Sequence, residues 1–367
     1  MNWYYGILIW FLVVAIIIKG MYISNTEIVL GKERQCVHWV VAVLVILPLI
    51  VWASQRLAGF GDTAVYINSF EEMPTSLAEL QKYIESINKD KGFYAFSALI
   101  KIVFGNNVKV YFFVLALFQG LCLSSMYRKY SSDYVLAIFI FVTSMDYFSY
   151  MQNGVRQFTA VAILLFATPF LVEKKYGRYL AFVLIASLMH QSALLMIPIA
   201  IIAQGKAWNK RTILMLILAL FAVAFVGRFT NILDRMLAET QYTNVVSDWQ
   251  EWNDDGTNPL RVLVFSMPMI LSIIGFKYIK SENDPIINMA TNMSIVSAGL
   301  YIISMVTSGI FIGRLPIYAS MYSMGVLLPW EIDHIFTESS AKLVKFFMII
   351  CFCIFYYYQL HYAWSVI

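Results

Sequence analysis

Charge is scarce in this sequence. Only 13% of its 367 residues are Asp, Glu, Lys or Arg, while 60% are hydrophobic and the mean hydropathy is +0.71. A soluble domain carries roughly twice that share of charge, so a soluble enzyme and a disordered chain are both excluded. Cysteine is also rare: the four are Cys36, Cys122, Cys351 and Cys353. Three fall inside apolar runs and none has metal-ligand spacing. Cys351 and Cys353 sit two apart on a helical run and face different ways. No disulfide framework and no zinc site are expected. There is no phosphate-binding glycine loop, nucleophile elbow, metal constellation, internal repeat or low-complexity tract. The net charge of +4, from 26 basic and 22 acidic residues, is too weak for a nucleic-acid partner.

Long apolar runs fill the chain instead. They cover Trp3 to Ile18, Val37 to Ser54, Val108 to Tyr127, Tyr134 to Tyr150, Gly154 to Val172 and Tyr179 to Ala203. Further runs are Thr212 to Val226, Leu260 to Phe276, Ile286 to Ser308, Leu315 to Trp330 and Leu343 to Tyr362. Lipid admits only helices and closed barrels, and these runs are too long for barrel strands. The fold class is therefore all-α: a polytopic transmembrane helical bundle of about 11–12 spans, with residues 1–367 as one transmembrane domain. The first run has no basic leader and no small-residue cleavage site, so it reads as an uncleaved helix.

Lys and Arg in the short loops set the orientation. Lys19, Lys32 and Arg34, then Arg128 and Lys129, then Lys174, Lys175 and Arg178 fall on one side, the cytoplasmic one. Taken as one span, Tyr179 to Ala203 puts Lys206, Lys210 and Arg211 outside. Broken near His190 into two half-helices, or a re-entrant pair, it puts most of the basic residues inside. Non-helical backbone at membrane depth belongs where it lines a cavity or packs in protein, so the break also points to a site. The alternative is one tilted helix with a packed histidine. In the broken arrangement two segments lie outside: 55–107, with an amphipathic helix started by the Ser76/Glu79 capping box, and the acidic 228–259, which holds Trp249 and Trp252.

Ionisable residues at membrane depth are costly and mark function. Several gather towards the outer face: Arg56, Asp62 in the Gly61-Asp62 turn, Arg156, His190, Arg261 and Arg314. Asp146, Tyr150, Asn153 and Gln157 are each about one helical turn apart and share a face if the helix continues through Gly154. Arginine matches phosphate oxygens bidentately and never loses its charge, so two or three at one level suit transfer from a phosphate-linked donor. A histidine or aspartate beside them can take a proton from an attacking hydroxyl. The plainer readings stand beside these: Arg56 and Arg228 can snorkel to headgroups, as can Arg156 and Arg314 where their helices begin, Asp62 can be a turn or cap residue, Asp146 can pair with an arginine, and His190 can be a packed core histidine.

Taken in order, the blocks Arg56, Gly61-Asp62, Tyr66 and Phe70; Asn153, Arg156, Gln157 and Ala160; His190, Ser192, Ala193 and Leu194; and Gly313-Arg314-Leu315 with Tyr318 resemble the EpsG-type, Wzy-like polysaccharide polymerases. The resemblance implies a GT-C-like glycosyltransferase of the bacterial inner membrane. Such an enzyme joins undecaprenyl-pyrophosphate-linked repeats into O-antigen, capsule or exopolysaccharide at the periplasmic face, without metal or cofactor. By position it implies pyrophosphate binding by Arg156 and Arg314, with Arg56 as a third candidate. Asn153, Gln157, Tyr66, Tyr150 and Tyr318 are substrate-side candidates. His190 is implied as the base or acceptor-orienting group, with Asp62 as its rival. A chain-length regulator is a conceivable partner beside the bilayer. The alternatives are an O-antigen ligase, a flippase or transporter for lipid-linked sugars, and a membrane acyltransferase.

Overall fold

The structure, a computed structural model, describes residues 3–20, 24–238, 251 and 256–364. Trp249, Trp252 and most of the acidic segment lie outside them. The chain is an all-α, multi-pass membrane protein. Three helices among the described residues are long and apolar enough to cross a membrane, or six if each bent pair counts as one span, and five further apolar helices have 10–17 residues. Two compact units form: Met1–Leu194 with Lys345–Ile367, and Leu195–Val344.

The first unit opens with α1 (Trp3–Gly20) and a hairpin, β1 (Ser24–Val29) and β2 (Lys32–Val37). The hairpin falls in a segment that reads as a loop. Its turn residues, Leu30 and Gly31, have φ of 55° and 75°, the left-handed pair that a two-residue hairpin turn requires. Arg128 pins it: one guanidinium nitrogen donates to Glu27 Oε2 at 2.8 Å, and the group lies over Trp39. The unit continues with α2 (Trp39–Ser54), α3 (Thr63–Glu72), α4 (Leu77–Ser86), α5 (Lys91–Phe104), α6 (Val108–Tyr130), α7 (Tyr134–Thr143), α8 (Val155–Phe166), α9 (Thr168–Val172) and α10 (Tyr176–Met189). Short polar side chains begin two of the helices, Asn107 for α6 and Asp133 for α7, by accepting from otherwise unpaired first-turn amides. Ser76 occupies the cap position of α4, but its side chain makes no capping bond there, so the capping box read from the sequence is not formed.

Close helix packing relies on small residues. A Cβ on Gly120 of α6 would stand 3.0 Å from Ile50 of α2. One on Gly92 of α5 would stand 2.6 Å from Leu188 of α10. A core of Tyr66, Phe70, Phe93, Tyr111, Phe112 and Val155 joins α3 and α5 to α6 and α8, with Phe70 stacked on Tyr111 at 4.2 Å. Lys101 of α5 is buried, and its ammonium donates to the carbonyls of Phe70, Glu71 and Met73 at 2.9, 2.8 and 2.7 Å. It thus closes the C-terminus of α3. Replacing Lys101 with methionine removes the donor from these carbonyls, and a buried polar group left unsatisfied costs roughly 1–3 kcal/mol. Lys101→Met is expected to lower the melting temperature of the detergent-purified protein, with Lys101→Arg recovering part of the loss.

The run from Tyr134 does not continue as one helix. It turns by 80° between α7 and a π-helical stretch, Tyr147–Asn153. Met145, fully buried, takes φ 72° at the corner, in the strained left-handed region. A second break follows at Gly154, with ψ 48°. Asp146, Tyr150, Asn153 and Gln157 therefore do not share one continuous helical face, because the backbone changes direction between them.

The second unit contains α11 (Met196–Ala203), α12 (Lys210–Ala224), α13 (Val226–Leu237), α14 (Pro259–Ile274), α15 (Phe276–Glu282), α16 (Pro285–Met305), α17 (Ile317–Tyr322) and α18 (Leu328–Ile335). A last helix, α19 (Glu338–Tyr358), follows. The buried α16 is its axis: Asn292 donates to the carbonyls of Ala203 and Lys206, and Asn288 accepts from the Ala207 amide. Interhelical polar contacts of this kind add specificity where lipid supplies no hydrophobic drive. Helices α12 and α13 bend by 108°, and α14 and α15 by 73°.

Candidate functional site

Helix α10 ends at Met189, and His190 is its C-cap in an extended conformation, φ −159° and ψ 122°. A 3₁₀ turn, Gln191–Leu195, follows. Helical backbone is interrupted at His190. The half-buried imidazole Nδ1 sits 2.7 Å from the Ser192 hydroxyl, a contact that fixes the ring's rotation.

Three further elements of the first unit carry candidate residues. The Gly61-Asp62 turn leads into α3. Gly61 has φ 50°, and the Asp62 amide donates to Asn153 Oδ1 at 2.8 Å. A Cβ on Gly61 would stand 2.2 Å from that oxygen, so the turn needs glycine for both conformation and space. Gly61→Ala is expected to expel the Asn153 amide and cost about 1–3 kcal/mol, read as a drop in melting temperature. Gly59→Ala, with nothing within 4 Å, should change little.

The decisive contact is one the sequence did not point to. Arg156, in the first turn of α8, donates to Asp90 Oδ2 at 2.9 Å; Asp90 is 5% exposed and Arg156 34%. Asp90 occupies the N-cap position of α5 in the left-handed region, φ 54°, and its carboxylate makes no capping bond. Burial raises the Asp90 pKa, while Arg156 and the nearby Gln191 backbone amide pull it back towards the charged form. The Tyr66 hydroxyl also hydrogen-bonds Arg156, and burial holds that phenol's pKa above its ordinary value. Tyr94 of α5 lies within electrostatic reach of the same guanidinium. Arg156, Asp90, Tyr66, Tyr94 and the His190–Ser192 turn therefore form one partly exposed polar cluster, with Asp62 and Asn153 beside Tyr66's helix.

Other candidates are placed differently. Arg56 does not snorkel. It is buried, with Nε donating to Ala53 O at 2.7 Å, one terminal nitrogen to Gln152 O at 2.6 Å and the other to Met151 O at 3.2 Å, and the group stacks over Phe112. Two of its five donors thus hold the π-helical stretch, and a third closes on α2. Tyr150 and Gln157 are buried in the helix packing. Arg314 and Tyr318 belong to the second unit. There Arg314 is half-buried at the end of a 3₁₀ turn, Ile312–Arg314, and Tyr318 is buried. That turn is fixed by Gly313, where a Cβ would stand 2.5 Å from Thr257 Oγ1. Among the described residues no three His, Cys, Asp or Glu side chains group as metal ligands would.

A family model described as the EpsG family matches residues 39–365. The chain belongs to the EpsG family. The match runs from the start of α2 past the end of α19 and takes in every element of the cluster, from the Gly61-Asp62 turn to the His190 break, as well as Arg314. No curated protein and no solved structure matches this EpsG-family chain.

Proposed function

We propose that this protein is a GT-C-type polysaccharide polymerase of the bacterial inner membrane, acting on undecaprenyl-pyrophosphate-linked oligosaccharides with its site facing the periplasm. The observation that carries the reading is the Arg156 cluster: a guanidinium with exposed surface, steadied by Asp90 and Tyr66, in the same unit as a histidine at a helix break. In the proposed reaction, a sugar hydroxyl of the incoming lipid-linked repeat attacks C1 of the growing chain. The C1–O bond to the pyrophosphate breaks, and the lipid pyrophosphate leaves. His190 takes the hydroxyl proton, and Arg156 stabilises the charge gathering on the departing pyrophosphate. The arginine supplies that charge, so the scheme needs no metal. Arg314 is given a phosphate-binding role on the family resemblance, and Asp62 is the alternative base. Arg56, with its donors on backbone carbonyls, is proposed to shape the site and not to contact phosphate. Segments 55–107 and 228–259 are read as the outer loops, and a chain-length regulator as a candidate partner.

The test is the lipid-linked glycan pool of a strain lacking this gene. Accumulation of single repeats on the outer face is the expected result. Finished polymer still on its lipid would assign a ligase, and untranslocated repeats a flippase; either would overturn the proposal.

A further inference from the structure

We infer that the elbow between α12 and α13 binds an anionic glycerophospholipid of the bilayer, with its phosphate on Arg228 and an acyl chain in the trough beside it. The site lies in the second unit and takes no part in the proposed sugar transfer. The chain turns by 108° at Phe225, where α12 ends and α13 begins. The elbow holds a cavity of about 490 Å³, within the roughly 300–1,000 Å³ of ligand pockets. Its lining includes Leu218 and Ala222 of α12, Phe225 at the bend, Arg228 and Ile232 of α13, and Ile303 of α16.

The two arms of the elbow differ. Leu214, Leu218 and Phe221 of α12 are exposed, as on a helix surrounded by hydrocarbon. α13 is two-faced. Phe229, Leu233 and Leu237 pack inward with Ala219, Ile303 and Ile312, while Asn231, Asp234 and Arg235 are exposed. A two-faced helix set at a steep angle to an apolar one suits the boundary between hydrocarbon and headgroups. Ile232 and Met236 remain 57% and 73% exposed beside the packed face. Helical spacing puts Arg228 and Arg235 along one edge of that apolar strip and Asp234 beyond the other. Arg228 is exposed and is the one polar side chain in the cavity wall. Among the described residues no hydrogen bond or ion pair occupies its guanidinium, so its donors are open to phosphate oxygens. A lone cation at the mouth of an apolar trough is complementary to an amphiphile with an anionic head. The wall holds no acid, histidine or hydroxyl. It can therefore hold such a lipid but not react with it, which fits a resident bilayer phospholipid and not a substrate. Phe311 and Leu315 flank the Ile312–Arg314 turn and pack on the same inward face of α13, so a chain seated in the elbow braces that turn.

The test is native mass spectrometry of the full-length protein, stripped of lipid in detergent and then given phosphatidylglycerol or phosphatidylethanolamine with the same acyl chains. The parent is expected to retain phosphatidylglycerol in preference, and its melting temperature to rise with it. Arg228→Gln is expected to lower that retention about ten-fold, and Ala222→Phe, which fills the trough, to lower it as much. Lys210→Gln neutralises an exposed cation at the far end of α12 and should retain the lipid as the parent does. Arg228 is exposed, so its variant keeps the test open should Ala222→Phe not fold. Equal retention of the two lipids, or undiminished retention in Arg228→Gln or in folded Ala222→Phe, would overturn the inference. Displacement by an equal amount of polyprenyl phosphate would overturn it in favour of a carrier lipid, and displacement by inorganic phosphate would leave the acyl chain no role. A dimer that forms only in the absence of lipid, with no phosphatidylglycerol retained by the monomer, would give the face to a second copy instead.

Discussion

Arg156→Ala is expected to abolish long polymer in cells while the protein remains at its normal level in the membrane. Two effects must be separated. Deleting a preorganised donor at a site of developing charge costs roughly 10²–10³ in rate. Deleting Arg156 also takes the ion-pair partner from Asp90, buried at 5% exposure beside an arginine that is 34% exposed, and a buried polar group left unsatisfied costs roughly 1–3 kcal/mol. Arg156→Ala combined with Asp90→Asn removes that second cost, since a neutral amide replaces the stranded carboxylate. The double variant should regain the parent's thermal stability and stay inactive. Arg156→Lys keeps the charge without the two-pronged geometry and is expected to retain only short products. Normal chain lengths in the alanine variant, measured by gel separation of the surface glycan, would remove the pyrophosphate role. Arg314→Ala is expected to be equally inactive.

His190→Ala is expected to lower polymer formation by about 10²–10⁴, the range for a lost general base, with little change in stability because the imidazole is half-buried. Ser192→Ala should fall between the two, loosening the ring without removing it. A His190→Ala protein that still makes full-length polymer would move the base to Asp62, which is exposed at the head of α3, and Asp62→Asn would then be the inactive variant.

Some of this arrangement was legible in the chain. An interruption at His190 was expected from loop charge, and helical backbone does stop there. The Gly61-Asp62 turn announced itself through glycine. What stayed hidden depends on distant partners. Asp90 sits in Asn88-Lys89-Asp90-Lys91, which reads as a solvated turn, and only the fold brings it to Arg156, 66 positions away. Its place directly ahead of the apolar run 93–104 was the available signal, because a short acid there belongs at a helix start. Arg56 was ambiguous because snorkelling and inward clamping look the same in sequence. The corner at Met145 had no signal, since nothing local favours a positive φ in methionine. The hairpin at 24–37 was missed because one glycine in a charged loop is a weak turn mark.

Lys101 latches the rear of α3, and the Gly61–Asn153 contact latches its front. A helix advances about 100° per residue, so adding one residue between the two would swing Tyr66 off the guanidinium or tear one latch open. The ten-residue length of α3 is thus a gauge for the site. Natural length variation in this region belongs in the connections on either side of that helix.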